Sequence, residues 1–129
     1  MSVIVRGSFL PISFKASVNI ARFIKGREVK KALKILEGVM EKKIAVPYVK
    51  YNRKVAHKPG IGPGRYPVKA ARYFIGILKN GINVAKNKGM DENKLYIKRI
   101  EVNRSISKRR AKRLGRKATS IIIELEEKK

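Results

Sequence analysis

The residues whose types and spacing could do chemistry in this chain are its cations. Lys and Arg total 33 of 129 residues against nine Asp and Glu, so the formal net charge is +24. Residues 42–90 hold twelve cations and no acid, and residues 104–117 hold eight cations in fourteen positions, again without an acid. Guanidinium and ammonium groups bind phosphates, and their mutual repulsion opposes compaction unless a polyanion neutralises it. The pattern predicts nucleic acid as the partner, ahead of an anionic membrane surface.

Tyrosines are interleaved with these cations in the Pro- and Gly-rich segment 47–66. Their rings could stack on exposed bases or pack against neighbouring helices, and the sequence leaves both possibilities open. The interleaved set is Tyr48, Lys50, Tyr51, Arg53, Arg65 and Tyr66.

Residue types needed for catalysis or metal binding are scarce. The chain has no cysteine and a single histidine, His57, without a carboxylate near it in sequence. The glycines in 60–64 neither follow a predicted strand nor match a nucleotide-binding fingerprint. Glu37 and Glu41 lie one helical turn apart among lysines, which predicts a solvated surface rather than a catalytic pair. We therefore expect no enzyme activity, no metal and no cofactor.

Hydrophobic residues recur at helical spacing in three segments. The first follows Ser13, a suitable N-cap, and ends at Gly26, and the second runs from about Arg27 to Lys43. The third begins at Pro67 and ends at Gly89, as a helix with a C′ glycine would.

Pro and Gly are dense between the second and third helices. No regular element is expected in segment 47–66 for that reason. Inside the third helix, Gly76 and Gly81 each cost about 1 kcal/mol relative to alanine. We expect the close approach of another backbone to explain them.

After Gly89 the hydrophobic period changes to two, which predicts strands. Ile100 and Val102 begin one alternating run, and 121–125 forms another, with the cationic residues 104–117 between them. Each arm of this hairpin spans about 33 Å at strand rise, whereas a body of 100 residues has a radius of gyration of about 13 Å. The charged tip should therefore project from the body.

These elements predict an α+β fold, with three helices packed on a small antiparallel sheet and a long protruding β-hairpin. The length favours one domain, 1–129. Its expected parts are a body of residues 1–98 with the final strand 119–127, an extended hairpin at about 99–118, and a basic Pro/Gly loop at 46–66.

The first 27 residues contain five cations and no acid. That composition is typical of a transit peptide, but a folded segment of a basic chain would look the same. The helical pattern after Ser13 continues into residues of the predicted core, which favours a folded segment.

Short segments spread over nearly the whole chain carry a resemblance to a known family. They are Ile12-Ser13-Phe14-Lys15, the helix 29–46 closing on Val46-Pro47, residues 65–71 (RYPVKAA), residues 83–91 (NVAKNKGMD), Leu95-Tyr96-Ile97, Gly115-Arg116 and residues 122–125 (IIEL). In these segments the chain resembles the universal large-subunit ribosomal protein L-twenty-two family, in its archaeal and eukaryotic form. The resemblance implies that the first helix belongs to the domain.

The resemblance also implies a structural protein of the cytoplasmic large ribosomal subunit. In this family an α/β body sits on large-subunit rRNA near the outer end of the peptide exit tunnel, and the hairpin tip forms part of the tunnel wall. The implied partners are rRNA, neighbouring ribosomal proteins and the passing nascent peptide, with no membrane and no homo-oligomer. Gly115 and Arg116 match the family's Gly-Arg near the tip. Residues 111–113 (AKR) replace its usual Pro-Arg-Ala, and Ser120 replaces a frequent His.

Two sets of site residues are expected. The rRNA-binding set is Lys15, Lys50, Arg53, Lys54, His57, Lys58, Arg65, Tyr66, Lys69, Arg104, Lys108, Arg109, Arg110, Lys112, Arg113, Arg116 and Lys117. The tunnel-facing tip is Arg110, Lys112, Arg113, Leu114, Gly115 and Arg116.

A free-standing architectural protein on DNA or RNA is the alternative function. The cations are spread over helices, loop and hairpin rather than one groove-sized face, which favours a protein embedded in folded RNA. An RNA-modifying enzyme is a third hypothesis, but the sequence offers no catalytic constellation for it.

Overall fold

The computed structural model describes residues 2–48, 57–58, 62–104 and 118–128. Its elements are β1 (Ser2–Leu10), α1 (Phe14–Ile24), α2 (Val29–Met40), β2 (Val46–Pro47), β3 (His57–Lys58), β4 (Gly62–Arg65), α3 (Val68–Asn87), a short 3₁₀ helix (Glu92–Lys94), β5 (Leu95–Arg104) and β6 (Thr119–Glu127). The predicted α+β class, with helices on an antiparallel sheet, is confirmed.

The main sheet is antiparallel, with the strand order β1-β6-β5. The two predicted C-terminal strands, β5 and β6, are paired with Ile100 opposite Ile123 and Val102 opposite Ile121. Residues 105–117, on which the predicted projection of the tip depends, lie outside the described residues.

The N-terminal strand β1 is an element that the sequence did not predict. It pairs with β6 so that Val3 lies opposite Leu125 and Val5 opposite Ile123. Both valines are buried, whereas Ile4 between them is 50% exposed on the other face. Residues 2–24 thus form β1 and α1 of the fold, which confirms the prediction of a folded first segment.

Helix ends coincide with the predicted caps. The Ser13 hydroxyl accepts a hydrogen bond from the Ala16 amide at 3.3 Å at the start of α1. Gly26 after α1 and Gly89 after α3 have φ values of 81° and 79°, which glycine adopts without strain. The second helix, α2, ends at Met40, slightly earlier than predicted.

The core lies between the helices and one face of the main sheet. Helix α1 packs on β5, α3 packs on β1, and α2 packs against α3. The fully buried side chains include Leu36 of α2 and Phe74 of α3. The central strand contributes Ile121, Ile123 and Leu125 to this face, as predicted, and each is fully buried.

The segment that was predicted to hold no regular element contains a second, small sheet with the order β2-β4-β3. Val46 pairs with Arg65, and His57 pairs with Pro63. The prediction is wrong here because backbone pairing with neighbouring strands holds the Gly- and Pro-rich β4 extended, although its local propensity for a strand is poor.

The two glycines inside α3 have different surroundings. A Cβ atom on Gly81 would lie 2.7 Å from Leu125 Cδ1 and 3.3 Å from Val5 Cγ2, whereas a Cβ atom on Gly76 would meet nothing within 4 Å. The expected close approach of another backbone is wrong at both positions. Side chains of the sheet crowd Gly81, and Gly76 faces open space.

We therefore expect Gly76→Ala and Gly81→Ala to change stability in opposite directions. At Gly76 the better helix propensity of alanine should stabilise the protein by up to about 1 kcal/mol. At Gly81 overpacking of about 1–3 kcal/mol should outweigh that gain. Urea denaturation of both variants checks this, and equal shifts of the two midpoints would contradict the packing of α3 on β6.

Candidate nucleic-acid interface

An open cleft of about 900 Å³ lies between helix α3 and the edge strand β1. We call it the α3–β1 cleft. On α3 its lining residues recur every three or four positions, so they form one stripe of the helix surface. Of the lining residues within the described part of the chain, three are cations and none is acidic. The lining residues are Arg6, Gly7, Leu10, Val68, Lys69, Arg72, Tyr73, Gly76, Ile77 and Asn80.

Two glycines shape this cleft. A Cβ atom on Gly7 would lie 2.8 Å from Ile77 Cδ1 and 2.9 Å from Leu10 Cδ1, so a side chain at position 7 would displace the ends of these two side chains. The pairing register of β1 also shifts between Gly7 and Leu10. On the helix side, Gly76 has no side chain to fill the space. The shape of the cleft therefore depends on a glycine in β1 and a glycine in α3.

A smaller cleft of about 300 Å³ lies at the opposite edge of the sheet, between α1 and β5. Arg22 and Lys25 line it beside apolar side chains such as Phe14 and Val102. The Arg104 guanidinium carbon lies 4.7 Å from the centroid of the Phe14 ring, which is a cation–π distance. Cations thus flank the sheet at both edges.

The outer face of the main sheet carries ion pairs instead. Lys98 Nζ lies 3.0 Å from a Glu126 carboxylate oxygen, and Arg99 Nε lies 3.3 Å from Glu124. Arg99 also pairs with Glu101 at 2.6 Å. The hydrogen bond and the charge of Glu126 raise the pKa of Lys98 above its usual value. The positive charge of this face is locally compensated, which makes it a poor binding surface for a polyanion.

The predicted rRNA-binding residues fall at different places in the fold. Lys15 is exposed on α1, His57 and Lys58 form β3, and Arg65 is the exposed end of β4. Tyr66 and Lys69 flank the start of α3, and among the members of the set that the structure describes only Lys69 lines the α3–β1 cleft. Arg104 ends β5 over Phe14. The remaining predicted residues lie outside the described part of the chain: Lys50, Arg53, Lys54, Lys108, Arg109, Arg110, Lys112, Arg113, Leu114, Gly115, Arg116 and Lys117.

For Tyr48 the structure decides between stacking and packing. Its side chain is only 7% exposed and belongs to the core. Burial raises the pKa of the Tyr48 hydroxyl, and the nearby charge of Arg65 opposes that shift. Tyr48 is therefore a packing residue, whereas Tyr66 is half-buried and Tyr51 lies outside the described residues.

Four cations at these clefts are not in the predicted rRNA-binding set. Arg6 and Arg72 join Lys69 at the α3–β1 cleft, and Arg22 and Lys25 line the smaller one. The stripe of Lys69 and Arg72 on one face of α3 was detectable from helical spacing. Arg6 was not, because β1 had not been predicted and nothing local pairs it with α3.

Two kinds of site are not found in the described residues. Within those ranges no group of three or more His, Cys, Asp or Glu side chains is placed to hold a metal ion. Among the helices described, none combines the length and apolar character needed to cross a membrane.

Comparison with known proteins gives a consistent result. A family model described as ribosomal protein L22p/L17e matches residues 5–124. The chain is 50% identical over 107 residues to the large ribosomal subunit protein uL22 of Thermoplasma volcanium, which covers 81% of this chain and 72% of that protein. It is 44% identical over 94 residues to uL22 of Archaeoglobus fulgidus, covering 70% and 61% of the two chains. Identity to uL22A of Saccharomyces cerevisiae is 35% over 114 residues, covering 84% and 62%.

Proposed function

The chain belongs to the ribosomal protein L22p/L17e family, and from that membership we propose that it binds large-subunit rRNA, helps the subunit to assemble and lines the peptide exit tunnel with its hairpin. The proposed partners are large-subunit rRNA, neighbouring ribosomal proteins and the nascent peptide. The proposed place is the cytoplasmic large ribosomal subunit. No catalytic role and no cofactor are assigned.

The observation that supports RNA binding is the separation of charge on the described surface. Arg6, Lys69 and Arg72 share a cleft with no acidic lining residue. Lys98 and Arg99, in contrast, are paired with glutamates on the outer sheet face. A polyanion gains most where cations have no internal counterions, so we assign the cleft edges rather than the outer face to RNA.

The base of the hairpin supports the proposed role of its tip. The buried Thr119 hydroxyl donates a hydrogen bond to the Ile12 carbonyl at 2.8 Å, and β5–β6 pairing extends to Arg104 opposite Thr119. Buried contacts therefore hold the described base of the hairpin, where β5 ends and β6 begins. We propose that the tip residues face the tunnel and that the eight cations of 104–117, including those of the tip, bind rRNA. The tip residues are Arg110, Lys112, Arg113, Leu114, Gly115 and Arg116.

A crosslinking experiment tests this proposal. The full chain with Leu114→p-benzoylphenylalanine is incorporated into ribosomes and isolated with large subunits through a high-salt sucrose cushion. We expect photocrosslinks from position 114 to a stalled nascent chain. The matched control is Lys31→p-benzoylphenylalanine on the exposed side of α2, which should not reach the peptide.

Two results would contradict the proposal in different ways. A protein that stays at the top of the cushion or pellets with bulk DNA would favour the free-standing architectural alternative. Alternatively, the protein could cosediment with large subunits while the nascent peptide crosslinks to position 31 but not to position 114. That result would support the location in the subunit and contradict the assignment of the tip to the tunnel wall.

A further inference from the structure

We propose that the α3–β1 cleft holds an unpaired nucleotide of the bound RNA, with its base between Tyr73 and the apolar floor and its flanking phosphates at the cationic rim. The proposal rests on the proposed RNA-binding function and assigns part of that function to a defined cleft. The cationic rim denotes the three cations that line the cleft, Arg6, Lys69 and Arg72.

The composition of the cleft argues for a base in addition to phosphates. Leu10, Val68 and Ile77 line the cleft with apolar side chains, which we call its apolar floor and which a site for phosphate alone would not require. Tyr73, half-buried, supplies an aromatic ring at the same place. Every base has a flat π-face that stacks on aromatic side chains without regard to sequence. A nucleotide matches this combination of apolar floor, aromatic ring and cations.

The size and openness of the cleft agree with such an occupant. Its volume of about 900 Å³ lies within the usual range for ligand sites, about 300–1,000 Å³. Bases within an RNA helix are inaccessible to a cleft of this kind, whereas bases of loops and bulges can be splayed out and inserted. The occupant is therefore expected to be unpaired.

Charge complementarity favours a polyanion such as RNA over a neutral or basic protein segment. The three rim cations have no acidic neighbour among the lining residues. Consecutive phosphates flank a single inserted base on both sides, so one nucleotide and its neighbours can satisfy Arg6 and the α3 cations together. Asn80 adds an amide that can donate to or accept from a base edge.

The first test uses tetra-riboadenylate as probe and an abasic tetranucleotide with the same phosphates as control. Titration is followed by the amide NMR signals of Gly7 and Gly76 in the full chain. We expect both signals to shift and the adenylate to bind at least about tenfold more tightly than the abasic control, in the range that one base stack contributes. Equal affinities would overturn the proposal, because they would leave only a charged surface.

Two variants of α3 separate the cleft from the rest of the helix. Gly76→Leu fills the cleft where nothing lies within 4 Å, and it should lower adenylate affinity about tenfold. Its matched control is Asn83→Leu, which adds the same side chain at an exposed position outside the cleft and should bind like the parent chain. If Gly76→Leu lowers stability, Arg72→Gln serves as the second cleft variant, because it removes a charge from the cleft lining. Its matched control is Lys79→Gln, which removes a charge outside the cleft. Parent-like binding by both cleft variants would overturn the proposal.

A third experiment identifies the occupant in the assembled subunit. Photocrosslinking from Tyr73→p-azidophenylalanine should give adducts with rRNA. Adducts with a neighbouring protein would overturn the nucleotide assignment and leave RNA binding elsewhere intact. If the parent chain fails to bind large-subunit rRNA at all, the proposed function itself fails, and that outcome is distinct from a failure of the cleft alone.

Discussion

Raising the salt concentration from 50 to 200 mM is expected to weaken binding of the isolated protein to large-subunit rRNA by about 10³-fold or more. The net charge of +24 and the acid-free cationic runs require many phosphate contacts. Each contact releases condensed counterions, and single-stranded contacts give a log–log slope of about −0.7 per phosphate. Filter binding or fluorescence anisotropy over a salt series measures the slope. An affinity that hardly changes over this range would contradict the electrostatic mechanism.

The distribution of ion pairs predicts which cations set that slope. Arg72→Gln should reduce its magnitude by about 0.7, since this cation lines an acid-free cleft. Lys98→Gln is the matched control on the outer sheet face, where Lys98 is already paired with Glu126 at 3.0 Å. Its slope should equal that of the parent chain. An equal decrease of the slope in both variants would contradict the distinction between RNA-binding cations and cations compensated by glutamates.

Phe74→Ala should lower the free energy of unfolding by about 3–5 kcal/mol, the usual cost of truncating a buried phenylalanine. Phe74 is fully buried in α3, where this helix meets the rest of the core. The free energy of unfolding of a native protein is only about 5–15 kcal/mol in total, so this substitution would remove a large part of the stability. Urea denaturation without RNA measures this, because a bound ligand would mask the change.

The control for this substitution is Lys79→Ala on the exposed side of the same helix. Its effect should stay within about 0.5 kcal/mol, as is usual for surface positions. A loss below about 1 kcal/mol for Phe74→Ala would mean that α3 does not bury Phe74 as described.

The three helices could be predicted from sequence because their signals are local. Hydrophobic residues at spacings of three and four identify the buried face, and the caps stand next to the elements they terminate. Ser13 and Gly89 were both recognised on that basis, and the structure confirms them. The pairing of β5 with β6 was predictable where hydrophobic residues alternate, around Ile100 and Val102 of β5 and over 121–125 of β6, whereas the register shift between Ile97 and Arg99 was not.

Strand β1 could not be predicted because its stabilising partner is at the other end of the chain. Residues 2–10 contain the run Val3-Ile4-Val5 and then Gly7, which together do not alternate clearly. Pairing with β6 buries Val3 and Val5 and leaves Ile4 half-exposed. The small sheet around β4 has the same origin, since partners in the tertiary structure impose an extended backbone on residues with little strand propensity.

The candidate site divides in the same way between sequence and tertiary structure. Composition alone predicted a polyanionic partner, because no arrangement of 33 cations and nine acids can compensate the excess charge internally. Which cations act together was decided only by the fold. Arg6 lines the same cleft as Lys69 and Arg72 because β1 lies at the sheet edge beside α3, while Lys98 and Arg99 are neutralised by glutamates aligned across the strands. Charge counts are additive along a chain and can be read from the sequence. Ion pairing, and the gathering of distant cations in one cleft, depend on distances of a few ångströms that only packing establishes.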